Sequence, residues 1–144
     1  MSNVELANAA IKRAARWLQG ALRALEDGRW DDVVYSSQMA VEQSAKAVLI
    51  ALGIDSPRER DVSDVFLPLT RRDDIPDRFK NLVPSMSETI AELAELRGLA
   101  GYGYEMGIDA NYFKDYAPDA LNKAKNLHEA CSNLLSQAFK TGVR

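Results

Sequence analysis

The run WDDVVYSSQMAVEQSAKAVLIALG, residues Trp30 to Gly53, reads as one long helix. Asp31 or Asp32 serves as its N-cap, and Gly53 can take the left-handed position that ends it. At about 100° per residue, Val34, Val41, Ala45, Val48 and Leu52 form one apolar stripe. Ser37, Ala40, Ser44, Ala47 and Ala51 form a small-residue flank, and Met39 and Ile50 sit on the far side. A helix that is apolar or small nearly all round is enclosed by other elements or by a second copy of itself. This helix is therefore the expected centre of the fold.

On its N-terminal side, Ser2 and Glu5 have capping-box spacing and open a helix that extends to Asp27. Leu6, Ala10, Ala14, Trp17, Ala21 and Leu25 recur at spacings of three and four, and Leu18 and Leu22 widen the stripe. Lys12, Arg16, Gln19 and Arg23 line another face, which is either a solvated surface or a phosphate-binding stripe. Gly28 and Arg29 leave so short a link that the first two helices must be antiparallel neighbours.

On the C-terminal side the periodicity weakens between Ile54 and Pro84, where Pro57, Pro68, Pro76 and Pro84 break any long helix. Short helices fit Val62–Leu69 and Pro76–Leu82, with Asp74 and Pro76 as cap and first-turn residues of the second. Ser85 and Glu88 again have capping-box spacing, and helical order resumes from Ser85 to about Met106. On that helix Ile90, Leu93, Arg97, Ala100 and Tyr104 share a stripe. Pro118 opens a last helix running to about Lys140, with Leu121, Ala124, His128, Cys131, Leu135 and Ala138 as its seam. No alternating strand pattern occurs. The expectation is an all-α, antiparallel up-and-down bundle of four long helices with short connecting ones, residues 1–144 forming one domain.

A formal net charge of -3 supplies no global positive field for nucleic acid or an anionic membrane, so any such contact must be local. One cysteine among 144 residues rules out an internal disulfide and fits a reducing compartment. No stretch approaches the roughly 20 apolar residues of a membrane span, and a cytoplasmic protein is expected.

Few residues point to chemistry. Arg97 interrupts an apolar stripe, so it either makes an ion pair, with Glu42 as the natural partner, or faces an anion. Glu42 and Lys46 have favourable i, i+4 spacing. His128 reads as a hydrogen-bonded packing residue and Cys131 as a small buried hydrophobe. No metal-ligand spacing, hydrolase triad or phosphate-binding glycine loop is present, so neither metal nor cofactor is expected. Tyr102, Tyr104, Tyr112 and Tyr116 cluster near Arg97, either packing a loop or flooring a nucleobase site.

The run AVEQSAKAVLIALG (Ala40–Gly53), the charged RERDV (Arg58–Val62), ELRGLAGYGYE (Glu95–Glu105) and a final helix from APDALNKA occur in an order that resembles the HEPN superfamily. The resemblance covers nearly the whole chain. It implies a helical bundle that dimerises, with a site near the dimer axis and frequent pairing with a minimal nucleotidyltransferase. Many such proteins are metal-independent endoribonucleases or toxins whose signature is an Arg, four to six residues, then a His. Arg97 matches the Arg, but the positions for the His hold Tyr102, Gly103 and Tyr104.

That departure bears on the chemistry. Cleaving RNA at its 2′-hydroxyl needs a base and a group to stabilise the phosphorane charge. A guanidinium suits the second task. A phenol, titrating near pH about 10, is a poor base at neutral pH. The expected function is a HEPN-type binding module for a nucleotide, RNA phosphate or nucleotidyltransferase-like partner. Arg97, Tyr102, Tyr104, Glu42 and Lys46 are its candidate site residues. The alternative is an endoribonuclease in which Arg97 works with Tyr102 or Tyr104.

Overall fold

The computed structural model describes residues 1–138. The fold is all-α: helices α1 (Asn3–Asp27), α2 (Trp30–Ala51), α3 (Ser63–Phe66), α4 (Asp77–Lys80), α5 (Val83–Tyr102) and α6 (Ala117–Ala138) are joined by 3-10 turns at Leu67–Arg71, Gly103–Met106 and Ala110–Phe113. Lys140, where the sequence places the end of the last helix, lies outside the described residues.

Local chemistry accounts for most helix ends. The Ser2 hydroxyl accepts from the Glu5 N–H (3.1 Å) and the Glu5 carboxylate accepts from the Ser2 N–H (3.2 Å), closing the expected capping box. Gly53, at φ 73°, ends α2, with its N–H on Ile50 O (3.0 Å) and the Ile54 N–H on Leu49 O (2.9 Å). Those two bonds satisfy carbonyls that the helix would leave unpaired.

Three expected starts differ. α2 begins at Trp30 after Arg29, and neither Asp31 nor Asp32 caps it. Both lie in the first turn, where a carboxylate favours the helix dipole, and Arg29 holds Asp32 at 2.6 Å. α5 begins at Val83 with Pro84 in its first turn, so Ser85 is already inside the helix. Proline suits that turn because its missing N–H would have no partner there. Pro76 is the N-cap residue of α4, while Asp74 binds Arg72 at 2.7 Å.

α2 is enclosed on its apolar sides by the chain itself. Val33, Val34, Val41, Val48 and Leu49 are fully buried, each worth about 1.5–3 kcal/mol. Ala7 of α1 meets Ala47 of α2 and Leu135 of α6 at one end, while Ala21 and Ala24 meet Val33, Ala117 and Leu121 at the other. α1 therefore runs antiparallel to both α2 and α6. Ala7, Ala14 and Ala21 recur every seven residues and are buried, as are Ser37, Ala40, Ser44 and Ala47 of α2, and Ala7 against Ala47 makes a small-on-small seam between the two helices. Leu6 and Leu22, expected in the stripe, are too large for that seam and stand 45% exposed. The segment between α2 and α5 also supplies core: Phe66, Leu69, Ile75 and Phe79 are buried, with the two phenyl rings edge to face at 6.1 Å.

Candidate functional site

Along α2, Tyr35, Met39, Glu42 and Lys46 follow one another at spacings of four, three and four, with Gln38 one turn before Glu42. Such spacing stacks their side chains on one face. The Gln38 side-chain amide donates to Glu42 Oε1 at 3.0 Å, and Lys46 Nζ donates to Glu42 Oε2 at 2.9 Å.

α5 crosses this stripe and delivers Arg97 onto it. Arg97 Nη1 donates to Gln38 Oε1 at 3.1 Å and approaches Met39 Sδ at 3.2 Å and Glu42 Oε1 at 3.5 Å. Its Nη2 donates to the Tyr35 hydroxyl at 3.3 Å, and its guanidinium carbon lies 4.8 Å from the Tyr35 ring centroid. Gly101, one turn on, makes room for this ring, since a Cβ there would lie 3.4 Å from Tyr35 Cε2.

The expected ion pair between Arg97 and Glu42 is thus present, and Lys46 completes it. Two cations surround one carboxylate, leaving the cluster with one net positive charge. Its side chains are only partly exposed: 15% for Glu42, 22% for Lys46 and 21% for Arg97. Charges at that depth are screened less than surface ones, so the surplus is felt by an approaching anion. Arg97 Nε has no partner among the described residues.

The other candidates are placed elsewhere. Tyr102 ends α5 at 61% exposure and Tyr104 stands in the next turn at 71%, and neither hydroxyl bonds to Arg97. Tyr112 is also exposed, packed edge-on against Phe113. Tyr116 donates a short hydrogen bond to Glu92, whose carboxylate also accepts from Lys123 at 2.8 Å. This clasp ties α5 to α6. Burial and the bond to Glu92 push the Tyr116 phenol well above its usual range. Burial opposes ionisation of Glu92, yet bonds from Lys123 and Tyr116 outweigh it and hold the carboxyl below its usual range.

His128 Nε2 lies 3.2 Å from the Ile11 carbonyl oxygen, to which it must donate, so it anchors α6 to α1. Cys131 is fully buried, and burial alone pushes its thiol far up, which makes it unreactive. Among the described residues no cluster of His, Cys, Asp and Glu can hold a metal, and no helix is long and apolar enough to cross a membrane. A groove of ≈ 220 Å³ between α4 and α6, lined in part by Phe79, Leu82, Ala130 and Leu134, shares no residue with the Arg97 cluster.

Comparison with known proteins bears on this arrangement. The HEPN domain family matches residues 7–134, which takes in α2, α5 and the whole Arg97 cluster. The chain belongs to the HEPN family. This HEPN chain is 32% identical, over 142 residues, to a Methanocaldococcus jannaschii protein named "Putative toxin MJ1304", covering 95% of this chain and 93% of that one. No solved structure matches it. Within the HEPN fold, sequence reasoning found Arg97, Glu42 and Lys46 together. It missed Tyr35, Gln38 and Met39, although they lie seven, four and three residues before Glu42, on its face of α2.

Proposed function

We propose that this HEPN protein is a binding module that grips the phosphate of a nucleotide or RNA with Arg97, and that it works as a homodimer beside a nucleotidyltransferase-like partner. The observation that carries the reading is the surplus charge of the Arg97–Glu42–Lys46 cluster. Tyr35 and Gln38 hold the guanidinium in place, so less side-chain entropy is lost when it meets an oxyanion. Lys46 supplies the second cation, and Tyr102 and Tyr104 offer exposed rings to a base.

The dimer rests on a different surface from the one the sequence suggested. α2 is covered by its own chain, so its apolarity no longer argues for a second copy. Tyr102, Tyr104, Met106 and Tyr112 remain exposed at the end of α5 and beyond it, and such side chains suit an interface.

A second reading is favoured by the toxin name of the archaeal relative and by the place of Arg97 in ELRGLAGYGYE: an endoribonuclease in which Tyr102 or Tyr104 replaces the histidine. An RNA assay with purified wild type and Arg97→Ala, scoring binding and cleavage together, separates the two. Binding without cleavage, lost in the variant, supports the module. Cleavage lost in the variant establishes the enzyme, and no binding by the wild type removes both.

A further inference from the structure

Arg97 is one end of a longer feature. From α1 to α5 two neighbouring rings, Trp17 and Tyr35, carry a cation at each end. The Arg13 guanidinium carbon lies 4.6 Å from the Trp17 ring centroid, the Trp17 and Tyr35 rings are 6.4 Å apart at 55°, and Arg97 lies 4.8 Å over Tyr35. Three helices contribute to one continuous ladder.

The α1 end is electropositive. Between Leu6 and Leu25 the helix carries Lys12, Arg13, Arg16 and Arg23 and no acidic residue. Arg23 is paired with Glu26 at 3.2 Å, whereas Lys12, Arg13 and Arg16 are exposed and make no hydrogen bond or ion pair among the described residues. The protein as a whole is acidic, so this density of unpaired cations on one face is a local departure. The Trp17 indole N–H is buried and donates to nothing among the described residues, so the ring offers this strip a face and not a donor.

We infer that the ladder is a binding strip for a single-stranded polynucleotide, with Arg13 on α1 as a second contact beyond Arg97. The inference rests on the phosphate-binding role proposed for Arg97. Arg13 sits over the indole, its guanidinium carbon 4.6 Å from the ring centroid, so its outer side can meet a base and its N–H groups a phosphate. Lys12 and Arg16 flank it along the backbone path. Stacking on ring and guanidinium planes is tolerant of sequence, so the strip selects for an unpaired strand rather than for particular bases. A mononucleotide engages only the Arg97 end.

The test compares two probes on full-length protein: AMP, and a labelled single strand of about ten nucleotides made as RNA and as DNA of one sequence. Arg13→Gln is a surface change and leaves the fold intact, and Trp17→Phe, checked by thermal melting, provides a second variant. Arg13→Gln should weaken oligonucleotide binding about five-fold or more and lower the salt slope by about one, leaving AMP affinity unchanged. Equal loss with RNA and DNA makes the strip a general single-strand surface, and loss with RNA alone makes the 2′-hydroxyl part of its recognition. Wild-type oligonucleotide affinity in both variants, alongside loss in Arg97→Gln, overturns the strip and leaves the Arg97 site standing. Equal weakening of AMP and oligonucleotide by Arg13→Gln also overturns it as a separate contact. Failure of the wild type to bind either probe removes the Arg97 reading and the strip together.

Discussion

Arg97 lies over the ring of Tyr35, its guanidinium carbon 4.8 Å from the ring centroid, across the boundary between α5 and α2. The same guanidinium reaches Gln38 at 3.1 Å and Glu42 at 3.5 Å. One side chain thus joins two helices and leaves a cation at the surface. The pairing explains why a charge can sit on an apolar stripe.

Arg97→Ala should therefore cost stability as well as binding. Gln38 is 1% exposed and loses a charged partner, while Glu42 keeps Lys46. The expected loss is about 1–2 kcal/mol, readable as a lower midpoint in urea with an unchanged slope. Arg97→Lys should recover part of the stability but not the forked contact to a phosphate. An unchanged midpoint in Arg97→Ala contradicts the contact network.

Glu42→Gln should separate the two roles. Neutralising the carboxylate leaves Lys46 and Arg97 facing each other without a counter-ion, which lowers stability. The local charge rises by one, so phosphate affinity should increase, most of all at low salt. Calorimetric titration with AMP beside a thermal melt reads both effects. Weaker binding in this variant is the opposite result and tells against the phosphate role.

The alanine seam makes a prediction about packing alone. Ala14 of α1 is fully buried, and Ala14→Leu should destabilise by about 1–3 kcal/mol through overpacking. Leu6 is 45% exposed, so Leu6→Gln should stay within about 0.5 kcal/mol of wild type. The reverse order of the two effects, measured by chemical denaturation, contradicts the assignment of the buried face.

The clasp of Tyr116, Glu92 and Lys123 predicts how stability depends on pH. Tyr116 is shifted up, so its share is present below the ordinary phenol value of 10.0 and fades as pH rises beyond it. Glu92 is shifted down, so its share is present above the ordinary carboxyl value of 4.5 and fades as pH falls below it. The stability gap between wild type and Tyr116→Phe should therefore be largest between those limits and narrow on both sides. A gap independent of pH denies the clasp its charge.

Much of this was legible in the chain. Gly53 as a stop, Ser2 with Glu5 as a start and α2 as the centre follow from local chemistry, and they hold. Where neighbours decide, local signals mislead. Ser85 has a capping spacing, yet Pro84 in the first turn carries the start of α5 back to Val83. Leu6 and Leu22 look like core until the small flank of α2 requires alanine against it. The site divides in the same way. Glu42 and Lys46 are one turn apart on one helix, so spacing reveals them. Tyr35 and Arg97 are 62 positions apart, and only the register between α2 and α5 brings them together.

The most direct test of the phosphate grip is a fluorescence anisotropy titration of a labelled single-stranded RNA against wild type and Arg97→Gln at two salt concentrations, with helical content checked by circular dichroism. The predicted result is salt-dependent binding by the wild type and about ten-fold weaker binding, with a shallower salt slope, in the folded variant. Equal affinities and equal slopes for the two proteins would contradict it.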